Sequence, residues 1–326
     1  MRLLVTGGAG YVGCVVSRCL ADAGHEVTVL DDLSTGHRDA ALPSLVVGDF
    51  GDAASVCELL RRRRIEAVVH LAASCLVPES VVDPAAYYRN NLVRSLALLD
   101  AMRRHGAARL VLSSTAAVYG EPEAIPIAED HATRPTNPYG ETKLALERAL
   151  AAYHAAYGLS FVSLRYFNAA GASADGRLGE VHRPETHLVP NVLRAAFTGT
   201  PVPLFGTDYA TPDGTAVRDY VHVEDLAEAH LRALEHVGTG VRAATFNLGN
   251  GSGFSVREVV DAARRVTGRA VPVRDAPRRA GDPERLVASS ERARRVLGWT
   301  PRRADLAGIV ESAWRFLREH PEGYRA

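Results

Sequence analysis

The sequence predicts an α/β protein built on a doubly wound parallel sheet. Through the first half of the chain, short apolar segments alternate with longer segments of helical spacing. Several of the short segments are apolar on both faces, which is expected of strands covered by helices on each side. This alternation is typical of parallel strands joined by right-handed helical crossovers, and it indicates a Rossmann-type fold.

The elements follow one another in a regular order. We predict strands at 2–6, 26–30, 45–48, 67–71, 109–113 and 161–166, and helices at 12–23, 53–63, 87–105 and 138–157. A helix at 223–236 and a strand at 244–248 return to the main sheet. The rest of the second half is richer in glycine and proline, with helices at 188–197, 255–266, 290–297 and 306–320. It indicates a smaller cap made of discontinuous segments.

Composition and charge limit the classes of partner. The chain has 326 residues, with 38 Lys and Arg balanced by 38 Asp and Glu. A chain with this balance lacks the long-range positive field that would attract nucleic acids or anionic membranes. We therefore expect small-molecule partners bound in a cleft. No apolar run of about 18 residues could form a transmembrane helix. The first residues lead straight into glycines, which suits a first strand better than a secretory leader, and we expect a cytoplasmic protein.

The cysteines do not suggest a metal or redox site. Cys14, Cys19, Cys57 and Cys75 form no Cys-x-x-Cys pair and have no histidine at zinc-ligand spacing. Three of them lie in apolar stretches, so we expect buried, reduced thiols. No metal site is predicted.

A glycine-rich turn follows the first predicted strand and opens a helix. Gly7, Gly10 and Gly13 have the spacing Gly-x-x-Gly-x-x-Gly. The first glycine permits a tight turn, the second permits close approach of a pyrophosphate, and the third lets helix and strand pack closely. The helix N-terminus adds free N–H groups and a partial positive charge. We therefore predict a dinucleotide-binding turn.

An acidic residue at the end of the second strand specifies the dinucleotide. Asp31 lies where a carboxylate accepts hydrogen bonds from the adenosine ribose hydroxyls and repels the extra phosphate of NADP. No arginine follows it directly. The cofactor predicted is therefore NAD. Asp49 and Phe50, after the third strand, are predicted to face the adenine edge.

The second strong motif is a tyrosine and a lysine on one helix face. Asn137 and Pro138 start a helix by their N-cap and first-turn preferences, so Tyr139 and Lys143 fall at positions i and i+4. An ammonium beside a tyrosine favours the phenolate and would lower the pKa of Tyr139, which makes it a general base. The same ammonium is suited to hold the nicotinamide ribose. Upstream, Thr115 ends the fifth strand at the edge where ligands bind in such sheets.

These motifs together resemble those of the extended short-chain dehydrogenase/reductases, and among them the NAD-dependent epimerases of UDP-hexoses. The resemblance covers essentially the whole chain. It implies a catalytic triad of Thr115, Tyr139 and Lys143, with threonine where many members have serine. The residues that match the family's NAD contacts, besides the triad and the three glycines, are Tyr11, Val12, Asp31, Asp32, Leu33, Ser34, Thr35, Gly36, Asp49, Phe50, Leu71, Ala72, Ala73, Asn90 and Phe167.

The resemblance also implies a UDP-sugar site. Arg218 would meet the UDP phosphates, the backbone of Leu204 and Phe205 would flank the uracil, and Arg279 and Asp282 would bind the diphosphate and the uridine ribose. The further residues matched to substrate contacts are Thr115, Tyr139, Asn168, His187, Leu188 and Tyr220. The domains implied are an NAD-binding domain at 1–168 and 218–249 and a UDP-sugar-binding cap at 169–217 and 250–326.

Two positions depart from the family pattern. Cys75 stands in a stretch where some members place a lysine near the cofactor pyrophosphate, and this loss of charge would loosen NAD binding. His187 occupies a substrate-contact position that is often asparagine, and we interpret it as a substituted hydrogen-bond donor rather than a new catalytic histidine.

The reaction implied is interconversion of UDP-galactose and UDP-glucose through a transient 4-keto sugar and bound NAD. Epimerisation of UDP-N-acetylhexosamines or another UDP-sugar is an alternative, because Leu286 aligns near a position where a large tyrosine excludes the N-acetyl group. Ala116 and Ala117 replace the Asp-Glu acid pair that follows the active-site threonine of sugar-nucleotide 4,6-dehydratases, which argues against dehydration. A non-catalytic NAD-binding regulator, the distant alternative, would have little reason to keep the Tyr-x-x-x-Lys pair.

The resemblance implies a homodimer as well, with helices around 91–105 and 138–157 packing across the two-fold axis. The sequence itself supports only an apolar stripe, Leu92, Leu96 and Leu99, which a monomer core also explains.

Overall fold

The structure is a computed structural model that describes residues 1–240, 243–279 and 282–324. The strands are β1 (Arg2–Thr6), β2 (Glu26–Asp31), β3 (Leu45–Val47), β4 (Ala67–His70), β5 (Arg109–Thr115), β6 (Ser160–Tyr166), β7 (Asn168–Ala170), β8 (Val202–Phe205), β9 (Val217–Arg218), β10 (Tyr220–His222), β11 (Ala243–Leu248), β12 (Phe254–Ser255), β13 (Val273–Ala276) and β14 (Arg285–Leu286). The helices are α1 (Tyr11–Asp22), α2 (Ala53–Arg63), α3 (Val77–Val82), α4 (Pro84–Tyr87), α5 (Arg94–His105), α6 (Pro138–Tyr157), α7 (Leu188–Thr198), α8 (Val223–Gly238), α9 (Val256–Thr267), α10 (Glu291–Leu297) and α11 (Leu306–Glu319).

Among the described residues, seven parallel strands form the central sheet in the order β11-β6-β5-β4-β1-β2-β3. The strand order reverses at β1, which pairs with β2 on one side and β4 on the other. The crossovers on the two sides of β1 therefore leave a crevice at the carboxyl ends of the strands, where ligands bind in such sheets. The predicted fold class is confirmed.

The sheet is buried on both faces because alternate side chains of each strand enter different cores. In β1, Leu3 and Val5 pack into one core together with α1 and α8, while Leu4 packs into the other core with α2 and α5. All three side chains are fully buried. This explains why the strands read as continuous apolar runs in the sequence.

The cap has its own apolar core. Val192 of α7, Val260 of α9 and Ile309 of α11 pack there with residues of the parallel pair β8–β13. Helix α11 joins the cap to the sheet, since Trp314 belongs to the cap core and Phe316 belongs to a core of the sheet. Strands β12, β9 and β14, from distant parts of the chain, form a separate three-stranded sheet in that order. Residues 241–242, 280–281, 325 and 326, which the sequence assigned to these domains, lie outside the described residues.

Two parts of the sequence-based prediction need correction. The predicted helix 87–105 covers the last residue of α4, a π-helical segment (Tyr88–Val93) and α5. Its apolar spacing indicates a helix but does not reveal where the hydrogen-bond pattern changes from i+4 to i+5. Helix α3 and the short cap strands were not predicted, because segments of two to six residues carry too little periodicity.

The cysteines are only in part as expected. Cys14 is buried, Cys19 and Cys57 are half-buried and Cys75 is exposed, and all four are free thiols in the described part of the chain. The expectation of buried thiols is thus correct for Cys14 and wrong for Cys75. Within the described ranges, none of the helices has the length and apolar character needed to cross a membrane.

Candidate active site

The glycine turn joins β1 to α1, and its three glycines are required for different reasons. Gly7 has a φ of +74°, and a Cβ on it would lie 2.5 Å from the backbone nitrogen of Ala72. A Cβ on Gly13 would lie 1.9 Å from the carbonyl oxygen of Gly7. A Cβ on Gly10 would approach nothing in the described chain closer than that same oxygen at 3.4 Å. The protein's own packing therefore explains Gly7 and Gly13, whereas Gly10 keeps the surface open toward a ligand.

Helix α1 begins at this turn with its amide groups available. Gly10 is the N-cap, and in the described part of the chain no side chain caps it. The first N–H groups of a helix have no partner within the helix, so an uncapped end attracts a phosphate. Tyr11 and Val12 form the first turn, and the Tyr11 hydroxyl donates to the carbonyl of Gly171 at 2.7 Å. The residues fit a dinucleotide pyrophosphate.

The adenosine end of the site carries three carboxylates and one arginine. Asp31 is buried and accepts hydrogen bonds from the backbone amides of Ala9 and Leu33, both at 2.9 Å. Arg94 lies between the other two acids, with its Nε 3.4 Å from Asp49 and its Nη1 3.9 Å from Asp32. Backbone donors orient Asp31 and leave lone pairs for ribose hydroxyls.

The other predicted cofactor residues surround the same crevice. Asn90, in the π-helical segment, donates to the Ser74 hydroxyl at 3.1 Å and accepts from Arg94 at 3.0 Å. Phe50 is buried against His70, and its side chain belongs to the core rather than to an open surface. The remaining predicted residues lie in the loops after β2 and β4, and these are Leu33, Ser34, Thr35, Gly36, Leu71, Ala72 and Ala73.

Helix α6 carries the tyrosine and the lysine. Asn137 caps it by accepting a hydrogen bond from the Gly140 amide at 2.9 Å, as its sequence predicts. Burial raises the pKa of the Tyr139 phenol well above 10, Cys75 and Tyr166 act in the same direction, and a hydrogen bond with Thr115 lowers it. In the chain by itself, burial therefore outweighs the lowering of this pKa that was expected from Lys143.

Lys143 is held by the strand beneath it. Its Nζ donates to the carbonyl oxygen of Ser113 at 2.9 Å, and its side chain is buried. Burial lowers the pKa of Lys143 from 10.5 to about 8, while Cys75 and Glu147 act against this change. An ammonium has three donors. Among the described residues, Ser113 is the acceptor for one of them. The other two N–H donors of Lys143 are available to a cofactor or to Tyr139.

A buried polar network supports the end of β5. Arg165 and Glu147 form an ion pair with 8% of each side chain exposed, and the Ser114 hydroxyl donates to Glu147 at 2.6 Å. Arg165 also donates to the Tyr119 hydroxyl at 3.0 Å. The Ser113 and Tyr166 hydroxyls are hydrogen-bonded to each other. Such satisfied networks are rigid, and this one fixes the backbone that positions Thr115 and Lys143.

Four of the residues predicted to bind the nucleoside diphosphate form two pairs. Arg218 and Asp282 form an ion pair, with 11% of the Arg218 side chain exposed. The guanidinium of Arg279 lies 4.0 Å from the centre of the Phe205 ring. The two arginines thus start out paired within the protein, the first with a carboxylate and the second with an aromatic face.

The remaining residues predicted at the cofactor and substrate sites differ in exposure. Phe167 and Leu286 are half-buried and pack against the cluster that contains Ala116. Asn168 is half-buried, and its backbone amide donates to the carbonyl of Asp219 at 2.9 Å. Leu204 and Tyr220 are buried in the cap core, which Leu188 contacts. Leu286 and Phe167 thus pack against one cluster, whereas Tyr220 has little exposed surface.

His187 lies in an acidic surrounding that the sequence analysis missed. Its Nδ1 is 2.7 Å from Oε1 of Glu180 and 3.3 Å from Oε1 of Glu185. The contact with Glu180 raises the pKa of His187, against the effect of burial. Glu180, His182, Glu185 and His187 lie within eight positions of the sequence, and this spacing was the available signal.

Two further residues at the site were also missed. Arg94 lies between Asp32 and Asp49 at the predicted adenosine end. Tyr166 lies near Tyr139, and its hydroxyl is hydrogen-bonded to that of Ser113. The signal for Tyr166 was its place at the end of β6, the neighbour of β5. For Arg94 no signal exists, because the π-helical segment before it sets its direction.

Comparison with known proteins identifies the family. A model described as the NAD dependent epimerase/dehydratase family matches residues 3–249. UDP-glucose 4-epimerase of Corynebacterium glutamicum is 54% identical over 320 residues, which cover 97% of this chain and 95% of that protein. The solved structure of UDP-glucose 4-epimerase from Brucella ovis in complex with NAD is 47% identical, with a TM-score of 0.94 and coverage of 97% and 98% of the two chains. The Bifidobacterium longum enzyme in complex with NAD+ and UDP is 34% identical, with a TM-score of 0.94 and coverage of 99% and 100%.

The chain belongs to the NAD-dependent epimerase/dehydratase family. Within that family it falls among the UDP-glucose 4-epimerases, to which it is similar over nearly its whole length. The family and the type of reaction expected from the sequence are therefore confirmed.

Proposed function

We propose that the chain is an NAD-dependent isomerase that interconverts UDP-galactose and UDP-glucose by inverting C4, with Tyr139 as the general base. The observation that carries this assignment is the convergence of Thr115, Tyr139 and Lys143 at the carboxyl end of β5. NAD, held by the glycine turn, Asp31 and Lys143, would supply the hydride acceptor for C4 and a cationic ring, and would be regenerated in each cycle.

The proton transfer belongs to Tyr139. Its phenol oxygen takes the proton of the sugar 4-hydroxyl, and the Thr115 hydroxyl holds the two oxygens in line. Because burial keeps the pKa of Tyr139 high in the chain alone, the base depends on positive charge gathered around it. Lys143 supplies that charge from within the protein. When the ketone is reduced again, Tyr139 returns the proton.

Inversion requires the 4-keto sugar to turn over while the nucleotide stays in place. Arg218 and Arg279 hold the diphosphate, and Asp282 passes from its ion pair with Arg218 to the uridine ribose. Arg279 lies on the cap, whereas Arg218, at the end of β9, and Tyr139, in α6, lie in segments of the sheet domain. Firm contacts at the nucleotide and loose contacts at the sugar permit the rotation.

The test is the Tyr139→Phe variant, which keeps the ring and removes the acidic hydroxyl. Purified enzyme is incubated with UDP-galactose without added oxidant, and UDP-glucose is measured by chromatography. We expect epimerisation to fall by at least about a thousandfold while bound NAD, measured after denaturation, stays at the wild-type level. Tyr153→Phe, on the same helix but hydrogen-bonded to Asp100 at 3.1 Å, is the matched control. Undiminished turnover in Tyr139→Phe would refute the assignment.

The sugar range is a second question, and Leu286 supports a broad one. Leu286 pairs with Arg218 across β14 and β9 and packs against the same cluster as Phe167. A leucine there leaves space that a tyrosine would fill, so we propose that UDP-N-acetylgalactosamine is also a substrate. Conversion of this compound by the wild type and its loss in Leu286→Tyr, with UDP-galactose still converted, is the expected pair of results.

The domain division and the assembly belong to the same proposal. The sheet domain consists of 1–168 and 218–249, and the cap consists of 169–217 and 250–326, a division supported by the separate cap core. The enzyme is a homodimer and acts in the cytoplasm, where its free thiols stay reduced.

A further inference from the structure

Four side chains that bind metals in other proteins converge in the loop between β7 and α7. Glu180, His182, Glu185 and His187, which we call the Glu/His cluster, each offer one ligand atom, and these atoms lie within 4.8 Å of one another. The mechanism above uses none of them, although the sequence analysis matched His187 to a substrate contact. In the described chain, the ion pairs of these side chains stay within the cluster. None of them reaches the glycine turn or the Arg218–Asp282 pair.

The carboxylates of the cluster are deeply buried. The side chains of Glu180 and Glu185 are 7% and 3% exposed, and both approach both imidazoles. The Nδ1 atom of His182 is 3.2 Å from Glu180 Oε1 and 3.7 Å from Glu185 Oε2. Two buried carboxylates side by side require positive charge between them, because the cost of burying unpaired charge is large.

The hydrogen bonding of the cluster is incomplete in a specific way. The Nδ1 atoms of His182 and His187 and the Oε2 atom of Glu185 are buried and have no hydrogen-bond partner in the described chain. His187 Nδ1 and His182 Nδ1 lie 2.7 and 3.2 Å from the same oxygen, Glu180 Oε1, while His182 Nδ1 and Glu185 Oε2 are 3.7 Å apart. In contrast, Glu185 Oε1 accepts from the backbone amides of Thr186 and His187 at 2.8 and 2.9 Å. The backbone thus fixes this carboxylate and leaves its second oxygen directed into the cluster.

We propose that the Glu/His cluster binds a divalent transition-metal ion, with Zn²⁺ the best match. Two imidazole nitrogens and two carboxylate oxygens form a donor set that suits tetrahedral Zn²⁺, whereas Mg²⁺ and Ca²⁺ prefer oxygen ligands alone. Four protein ligands complete the coordination, which is typical of structural rather than catalytic zinc. The backbone amides that hold Glu185 are the supporting contacts expected around such a site.

The ion would fix the start of α7. His187 is the N-cap of that helix and directly precedes Leu188, so a metal bound to its side chain sets the position of the predicted substrate contacts. All four ligands come from one short loop, and the ion therefore closes the loop upon itself. This differs from the sequence-based expectation, which included no metal site.

The test measures metal binding rather than activity. The full chain is stripped with a chelator and then titrated with Zn²⁺ alone. We expect about one Zn²⁺ per chain. In Glu185→Gln and in His182→Asn the affinity for Zn²⁺ should fall at least about tenfold. Co²⁺ in place of Zn²⁺ should give the intense visible bands of a four-coordinate site. His105→Asn, at the end of α5 and outside the cluster, is the control and should bind like the wild type.

Thermal unfolding separates metal binding from simple misfolding. A chelator should lower the Tm of the wild type and of His105→Asn but leave the Tm of Glu185→Gln unchanged. NAD content reports whether each variant is folded. The proposal is wrong if the wild type binds no Zn²⁺ at micromolar concentration or if Glu185→Gln binds it equally well. It is also wrong if the chelator changes the Tm of none of the proteins. The histidines would then simply be protonated partners of the two carboxylates.

Discussion

At the residue scale, burial determines the electrostatics of the catalytic pair. It raises the pKa of Tyr139 and lowers that of Lys143, so it disfavours the charged form of each group. Such a pair is unfavourable for the stability of the chain alone. It becomes useful when a ligand brings charge and hydrogen-bond partners, and active sites commonly trade stability for function in this way.

Replacing Lys143 by methionine should stabilise the cofactor-free chain and abolish activity. The lowering of the pKa from 10.5 to about 8 corresponds to roughly 3 kcal/mol, from which the lost hydrogen bond to Ser113 removes about 1 kcal/mol. We therefore expect Lys143→Met to unfold with a free energy about 2 kcal/mol higher than the wild type at pH 7. Denaturant titration measures this difference, and UDP-galactose turnover measures the loss of activity.

The pH dependence of this difference provides its control. Below about pH 8 the folded wild type carries the buried charge and its full cost. Between pH 8 and 10.5 the unfolded chain binds the proton and the folded chain does not, so the wild type gains stability as the pH rises. The advantage of Lys143→Met should therefore shrink by pH 9.5. An advantage that stays constant from pH 7 to pH 9.5 would show that burial of the ammonium is not its cause.

Arg218 offers a second test at this scale. Arg218→Gln should raise the KM for UDP-galactose at least about tenfold and leave NAD binding unchanged, because a mostly buried guanidinium is the group best suited to a diphosphate. Arg278→Gln is the matched control, since Arg278 pairs with the exposed Asp208. Steady-state kinetics of both variants decide the point. Equal KM values for the two would contradict the assignment of Arg218.

Residue roles were predictable only where a motif fixes them. Tyr139 and Lys143 could be found because a helix places positions i and i+4 on one face. The ion pair of Arg218 with Asp282 joins residues 64 positions apart, and no spacing rule links them. The Glu/His cluster is local and could have been noticed, but the loop conformation that brings its ligand atoms together has no periodicity.

At the element scale, the glycine turn separates packing from ligand binding. Gly13→Ala should destabilise the fold by about 3 kcal/mol, because its Cβ would meet the Gly7 carbonyl at 1.9 Å and backbone cannot move aside easily. Gly10→Ala should change stability by less than about 1 kcal/mol, since its φ of −80° suits alanine and the nearest atom is 3.4 Å away. It should nevertheless weaken NAD binding at least about tenfold.

Calorimetric titration with NAD and denaturant unfolding of both variants separate these effects. The two measurements are made on the same cofactor-free preparations, with the wild type beside them. If Gly10→Ala bound NAD normally, the glycine would not be reserved for the pyrophosphate.

The elements of the sheet could be predicted because burial on both faces marks each strand and one-sided burial marks each helix. Helix α6 was predicted at 138–157, which are its observed bounds, since Asn137 and Pro138 define its start and Gly158 its end. The cap strands could not be predicted. Strands β9, β12 and β14 each have two residues and exist only because distant segments meet.

At the scale of the whole molecule, the apolar stripe on α5 does not by itself indicate a dimer. Leu99 is 2% exposed and belongs to a core of the sheet domain, and Leu92 and Leu96 are half-buried against the same core. The stripe is therefore explained within one chain. A dimer requires a different set of side chains on the outer face of α5 and α6.

Val93 and Tyr157 provide that set. Each is 58% exposed, Val93 at the end of the π-helical segment before α5 and Tyr157 at the end of α6, where its ring lies beside Arg103 of α5. If this face joins two copies of the chain, a charge at Val93 must enter the interface without a partner. We expect Val93→Glu to be a monomer in analytical ultracentrifugation while the wild type is a dimer. Val296→Glu, on α10, also replaces an exposed valine and should leave the dimer intact. NAD content confirms that each variant is folded, and a Val93→Glu protein that stays dimeric would exclude this face as the interface.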